Sequence, residues 1–259
     1  GSLKLNETGT LASTIVMSGG TMDADETSTV SGALTQSGDI TIDVATGKTL
    51  TYYSGTNVGI GANTLTVIGG GTLYNENAII LDNTNSKLIL NSVTLRVVTT
   101  SEASEGIDVD ADSTVTSLVV GHITPLSIAE GKSLSGAIAV SAGSLKLNET
   151  GTLASNIAMS GGTLDADDSL VVSGALTQSG DITIDVADNK TLTYSGATLS
   201  LDNNTLTLSG EGRLSNSNDL VLNNASSKLL LSNSITVDSV RTSLASLGLD
   251  VDADSTVTS

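Results

Sequence analysis

The chain has 259 residues, with 27 Gly, 1 Pro, no Cys, Trp or Phe, and 10 basic against 28 acidic side chains, for a net charge of -18. Without cysteine there is no disulfide framework, thiolate zinc site, iron–sulfur cluster or cysteine nucleophile, and so acidic a surface speaks against partners bound through phosphate, whether nucleic acid or an anionic membrane. A hydrophobic content of 38% with only 2% aromatic side chains excludes intrinsic disorder and predicts a thin, repetitive, aliphatic core.

The first motif along the chain is GSLKLNETGTLAS at Gly1, and the same string returns at Gly143. GALTQSGDITIDVA follows at Gly32 and again at Gly174, and DVDADSTVTS at Asp108 and Asp250, all at the spacing that separates Gly1 from Gly143. Such self-similarity is the signature of a repeat architecture. Between these anchors NTLT occurs at Asn63 and Asn204, closer together by one position, so one residue is lost and later regained. A surface turn tolerates that change and a buried strand does not. The chain therefore divides into repeat unit 1, residues 1–142, and unit 2, residues 143–259, which stops at the counterpart of Ser117. It reads as a window on a longer array. No leader or anchor segment is read in it, none is expected in such a window, and no apolar run is long enough to cross a bilayer.

Within each unit the apolar period is two. Ile40 to Val44, Leu65 to Val67, Val93 to Val97 and Ile107 to Ala111 place aliphatics on one face and Thr, Asp or Arg on the other, as half-buried strands do. Gly, Asn, Asp and Ser clusters such as Ser18 to Gly20, Thr46-Gly47, Ile68 to Gly71 and Asp82 to Asn85 separate them as turns. Ser101 to Glu105 is the only helix-tolerant segment and is too short to stand alone. Gly-x-Leu or Gly-x-Met steps at Gly1, Gly9, Gly20, Gly32 and Gly71 recur in unit 2 and read as corners followed by an inward aliphatic. Leu118 to Ala142 keeps the strand pattern, so the two units share one core. The expected fold is all-β, a right-handed parallel β-helix (β-solenoid) with about 20 residues per coil, six or seven coils per unit. The alternative is a pair of tandem β-sandwich domains, which would normally bury an aromatic between sheets.

Chemistry is sparse. Asp108, Asp110 and Asp112, repeated as Asp250, Asp252 and Asp254, are the candidate calcium ligands. The spacing resembles the start of an EF-hand loop, but Ser113 and Val119 stand where Gly and Glu are required. Read along one strand, the three carboxylates lie about 6.8 Å apart, so a metal would need acids from a neighbouring coil. The competing reading is a solvated outer face that keeps the rod soluble. Asp23-Ala24-Asp25-Glu26 and Asp165-Ala166-Asp167-Asp168 pose the same choice. No other cofactor is expected.

Catalysis is not expected. His122 is the only histidine, and Arg96, Arg213 and Arg241 have no counterparts in the sister unit. A polysaccharide lyase or hydrolase needs a cation or a raised-pKa acid grouped in a pocket. Thr49-Leu50-Thr51 and Thr64-Leu65-Thr66, repeated at Thr191 and Thr205, suggest an outward threonine ladder like that of ice-binding solenoids, although Thr is also simply a good strand former. Asn83, Asn85, Asn91, Asn203, Asn204, Asn223 and Asn224 sit at corners, where stacked amides would bond along the axis. Asn6-Glu7-Thr8 and Asn148-Glu149-Thr150 fit a glycosylation acceptor pattern.

Near-identical repeats rich in Gly, Ser, Thr, Asn and Asp, in strings such as GTLASTIVMSGGTMDAD and KTLTYSGATLSLDNNTLTLSGEG, resemble the repetitive regions of large bacterial surface adhesins. These include β-helical autotransporter passengers and haemagglutinin-like exoproteins. The resemblance spans the whole chain and is one of style and composition. It implies secretion, extracellular or cell-surface display, and a structural stalk or spacer that holds a binding tip toward a host or neighbouring cell, through an unknown glycan or protein. It carries no catalytic residue. The alternatives are a binding module that uses the acidic or Thr-rich faces for calcium, glycan or ice, and, ranked last, a polysaccharide-active enzyme. Bare coil ends would also permit end-to-end self-association.

Overall fold

A computed structural model describes residues 1–243, 245–252 and 254–258. Among them there is no helix. The strands stack in parallel into a β-solenoid of about 13 turns, and every strand-to-strand pairing is parallel. That excludes sandwich domains, whose sheets are antiparallel.

Most coils contribute three short strands, one to each side of a three-sided tube. Face A runs from Ser2–Leu5 through Gly20–Ala24 and Ile40–Val44 to Gly248–Val251 as one sheet of 13 strands. Face B begins with Gly9–Leu11, Ser28–Val30, Thr49–Tyr52 and Thr72–Asn75, and face C with Ile15–Met17, Leu34–Gln36, Val58–Gly59 and Ile79–Leu81. In the middle of the chain, Thr94–Thr100, Ser113–Val120 and Ser133–Val140 run across faces B and C as single long strands. At about 4.8 Å per coil, the 13 coils make a rod about 58 Å long.

The alternation read in the sequence is the reason these segments form strands. In Ile40–Val44 the three aliphatics are buried while Thr41 and Asp43 face out. Stacking then aligns the inward residues in columns. Met22, Ile42, Val67, Leu90, Val109 and Ile128 lie one above another on face A, each at most 4% exposed. Unit 1 takes seven coils, the first opening with Ser2–Leu5 and the seventh with Thr124–Ile128. The join between units is unmarked: Ile107 pairs with Leu126, Leu126 with Leu147 and Leu147 with Ala166.

Both changes of repeat length fall at turns. Five residues separate Tyr52 from Val58, but four separate Tyr194 from Leu199, its structural equivalent. Two residues, Asn91 and Ser92, lie between Leu90 and Val93, whereas Ser232, Asn233 and Ser234 fill the matching corner before Ile235. Ser92, Asn233 and Ser234 all adopt positive φ, at 54°, 59° and 63°. The corner absorbs the extra residue in its left-handed turn, and the strands on either side keep their facing.

Two expectations need correction. The predicted strand from Ile107 to Ala111 ends at Val109, and the chain bends at Asp110 and Ala111 before Ser113 starts the next face. Thr49-Leu50-Thr51 and Thr64-Leu65-Thr66 lie on faces B and A respectively, so they do not form one ladder.

Candidate functional site

The outer side of face A carries most of the ionic chemistry. Because an outward residue lies directly over its partner one coil away, a lysine on one coil can reach the acids of the next. Lys4 Nζ lies 2.9 Å from Asp23 and 3.8 Å from Asp25. Lys146, its counterpart, lies 3.6 Å from Asp165 and 2.8 Å from Asp167. Lys48 meets Glu26 at 2.5 Å and Lys190 meets Asp168 at 2.6 Å, at the corner toward face B.

The predicted calcium ligands belong to the same scheme. Lys87 Nζ lies 2.6 Å from Asp108, and Lys228 lies 2.8 Å from Asp250. Asp112, past the bend, accepts hydrogen bonds from the backbone N–H of Ser133 at 2.8 Å and from its hydroxyl at 3.1 Å. Asp110, Asp252 and Asp254 are exposed. The chain bend turns Asp112 away from Asp108, so the three carboxylates of this motif do not project from one strand. In the second motif Ala253 lies outside the described residues, as does Ser259, the chain's last residue. Among the described residues no group of three or more His, Asp or Glu is arranged to hold a metal ion.

Charge is nonetheless concentrated. Asp23 pairs in register with Asp43, and Asp165 with Asp185. Burial, reinforced by Asp23 and Asp25, pushes the Asp43 carboxyl above the usual carboxylate range. Burial and Asp167 do the same to Asp165. Asp168 moves the other way, held down by its hydrogen bond from Lys190 and by the N–H of Glu149. Hydrogen bonds to Asp108 and Asp167 raise Lys87 and Lys146. Asp185 also accepts a hydrogen bond from the Ser209 hydroxyl. In the Lys87–Asp108 pair the side chains are 29% and 28% exposed, so the pair stabilises by about 0–1 kcal/mol. These lysines act by keeping stacked carboxylates from repelling one another.

Catalytic company does not gather around the acids. His122 is exposed in a bend, and its carbonyl accepts from the Thr124 hydroxyl at 3.1 Å. Arg213 pairs with Asp238 at 2.7 Å and Arg241 with Asp219 at 3.2 Å. Arg96 lies 5.0 Å over the ring of Tyr74. Threonine columns form on face A from Thr21, Thr41 and Thr66 and from Thr163, Thr183 and Thr207, and on face B from Thr49, Thr72, Thr94 and Thr114 and from Thr10, Thr29 and Thr51. Asn83 and Asn224 cap their own turns, each accepting from the N–H two residues on at 3.0 Å. Asn223 bonds along the axis, to Asp202.

Sequence reasoning missed the buried polar residues. Asn75 is 1% exposed. Its amide donates to the carbonyls of Asn77 and Val97 and its oxygen accepts from Arg96 and Val97. Asn216 repeats the arrangement with Asn218, Asp238 and Ser239. Tyr52 and Tyr194 are buried too. The signal was available: each keeps its identity in both units at a position where alternation points inward.

No protein-family model, no curated protein and no solved structure matches the chain.

Proposed function

We propose that this chain is a stalk or spacer segment of a secreted or cell-surface repetitive adhesin, whose mechanism is mechanical. The supporting observation is the column of inward aliphatics that continues from coil to coil through the boundary between units, with Leu126 seated between Ile107 and Leu147. Each added unit lengthens such a rod without changing its cross-section, so repeat number sets the distance at which a binding tip is held. In this reading the chain performs no chemistry, and its acidic, lysine-stitched surface keeps the rod soluble. Location outside the cell rests on the compositional resemblance alone.

The test is to vary the repeat number. Small-angle scattering should show a rigid rod that grows by about 34 Å for each inserted seven-coil unit. A maximum dimension that fails to grow in proportion, or a flexible hinge between units, would overturn the stalk. Antibodies to the chain should label intact cells that produce it. Labelling only after lysis would overturn the surface location.

A further inference from the structure

The two units share most of their first 52 residues but differ at more than half of the positions in the stretch that follows, and on the outer side of face B that divergence changes the chemistry. On the outer side of face B, unit 1 carries a column in which Thr29, Thr51 and Tyr74 follow one another in register, and Arg96, one residue past the pair Leu73 and Leu95, lies over Tyr74. Tyr53 and Glu76 lie beside it, one residue past the pair Tyr52 and Asn75. The matching column of unit 2 holds Val171, Thr193 and Ser215, and the Ser215 hydroxyl bonds to Asp238, one residue past the pair Leu214 and Val237. Ser195 stands where Tyr53 does: the N–H of Tyr53 donates to Val30 at 2.8 Å, and that of Ser195 to Val172 at 3.0 Å. Ser217 takes the place of Glu76. Beneath this surface the buried neighbours Tyr52, Leu73 and Asn75 are retained as Tyr194, Leu214 and Asn216. Two phenol rings, a guanidinium and a carboxylate thus differ between the units over these three retained side chains.

We propose that this surface of unit 1 is a binding site for a neutral oligosaccharide. Tyr53 is 54% exposed and Tyr74 40% exposed, which leaves ring surface for the polarised C–H face of a pyranose. Arg96 rests over Tyr74 and donates one N–H to the Glu76 carbonyl at 3.1 Å. Its remaining donors and the exposed Glu76 carboxylate are placed to bond vicinal hydroxyls. The hydroxyls of Thr29 and Thr51 continue the polar track along the rod. Two rings on a threonine-rich wall are too small an apolar area for a stable protein interface. A polyanion would be repelled by a chain of net charge -18.

With no Phe or Trp and only four tyrosines, Tyr52, Tyr53, Tyr74 and Tyr194, a ring-labelled tyrosine NMR spectrum reads the site directly. The full chain would be titrated with maltohexaose, cellohexaose and chitohexaose, and with hexagalacturonate as the anionic control. At least one neutral sugar should shift Tyr53 and Tyr74 with Kd of about 1 mM, leaving Tyr52 and Tyr194 in place. The double variant Tyr53→Ser/Tyr74→Ser, which copies residues unit 2 already carries, should bind that sugar about tenfold more weakly or worse, with both chains compared by isothermal titration calorimetry. Unmoved Tyr52 and Tyr194 signals would report that it is folded. The proposal is overturned if no neutral sugar shifts the two rings at about 10 mM. It is equally overturned if hexagalacturonate shifts them as strongly, or if the folded double variant binds unchanged.

Discussion

The backbone N–H of Leu34 donates to the phenolic oxygen of Tyr52 at 2.9 Å, and at the equivalent place in unit 2 Leu176 donates to Tyr194 at 3.0 Å. In both units a tyrosine from one coil reaches inward to satisfy the first N–H of a face C strand one coil earlier, a group that would otherwise be buried without a partner. Tyr194 also donates to the Ala197 carbonyl at 2.6 Å.

Tyr194→Phe should therefore destabilise the chain by about 1–3 kcal/mol, since it strands the buried Leu176 N–H while leaving the ring in place. Chemical denaturation monitored by circular dichroism measures this. An unchanged midpoint would show that the hydroxyl is dispensable.

Replacing Leu126, which is fully buried, by Asp puts an unpaired charge into the column that joins the units. Nearest-neighbour coupling is what makes stacked coils unfold together, and a buried charge is among the most costly changes to a core. Leu126→Asp should split one unfolding transition into two in calorimetry. A single transition, merely shifted, would mean that the units are coupled by other contacts.

Gly136 has φ +122°, and a Cβ there would lie 1.8 Å from the carbonyl oxygen of Val115. It sits where the pairing shifts register between Val115 and Leu118, a bulge opposite Ser133–Val140. Gly131, at φ +69°, has open space around it. Gly131→Ala should cost about 1–2 kcal/mol, the effect of the left-handed backbone alone, while Gly136→Ala should lower stability by clearly more. Equal losses in thermal melts would refute the steric account.

Asp43 and Asp165 are raised above 3.8 in the fold, so each contributes stability that is fully present below pH 3.8 and is lost as pH rises through its folded value. Asp43→Asn/Asp165→Asn should raise the melting temperature at pH 7, and the difference from the parent chain should vanish near pH 3. Lys87 and Lys146 are raised above 10.5. Their contribution is fully present below pH 10.5 and is lost as pH rises through the folded values, so the chain should soften at strongly alkaline pH. A parent chain with a flat profile from pH 3 to pH 7 would contradict the carboxylate stacking.

Excess calcium should leave the melting temperature of the parent chain unchanged, because Asp108 and Asp250 already face Lys87 and Lys228. A rise reversed by chelator would show that the ion displaces these lysines and binds the acidic motifs after all.

Whatever depends on neighbours along the chain was legible in the residue order alone. Alternation in Ile40–Val44, the punctuation at Ser18 to Gly20, the return of the Gly1 string at Gly143 and the aliphatic nature of the core all follow from side-chain period and turn chemistry. Which residues of neighbouring coils meet emerged only once the coils were stacked. Successive turns differ in length: Leu3 pairs with Met22, but Ile42 has to travel farther along the chain to pair with Val67. Because corners of unequal length reset the register each time, the bond from Lys87 to Asp108, the inward reach of Tyr52 to Leu34 and the juxtaposition of Tyr74 with Arg96 arise from stacking, across distances over which strand periodicity carries no information.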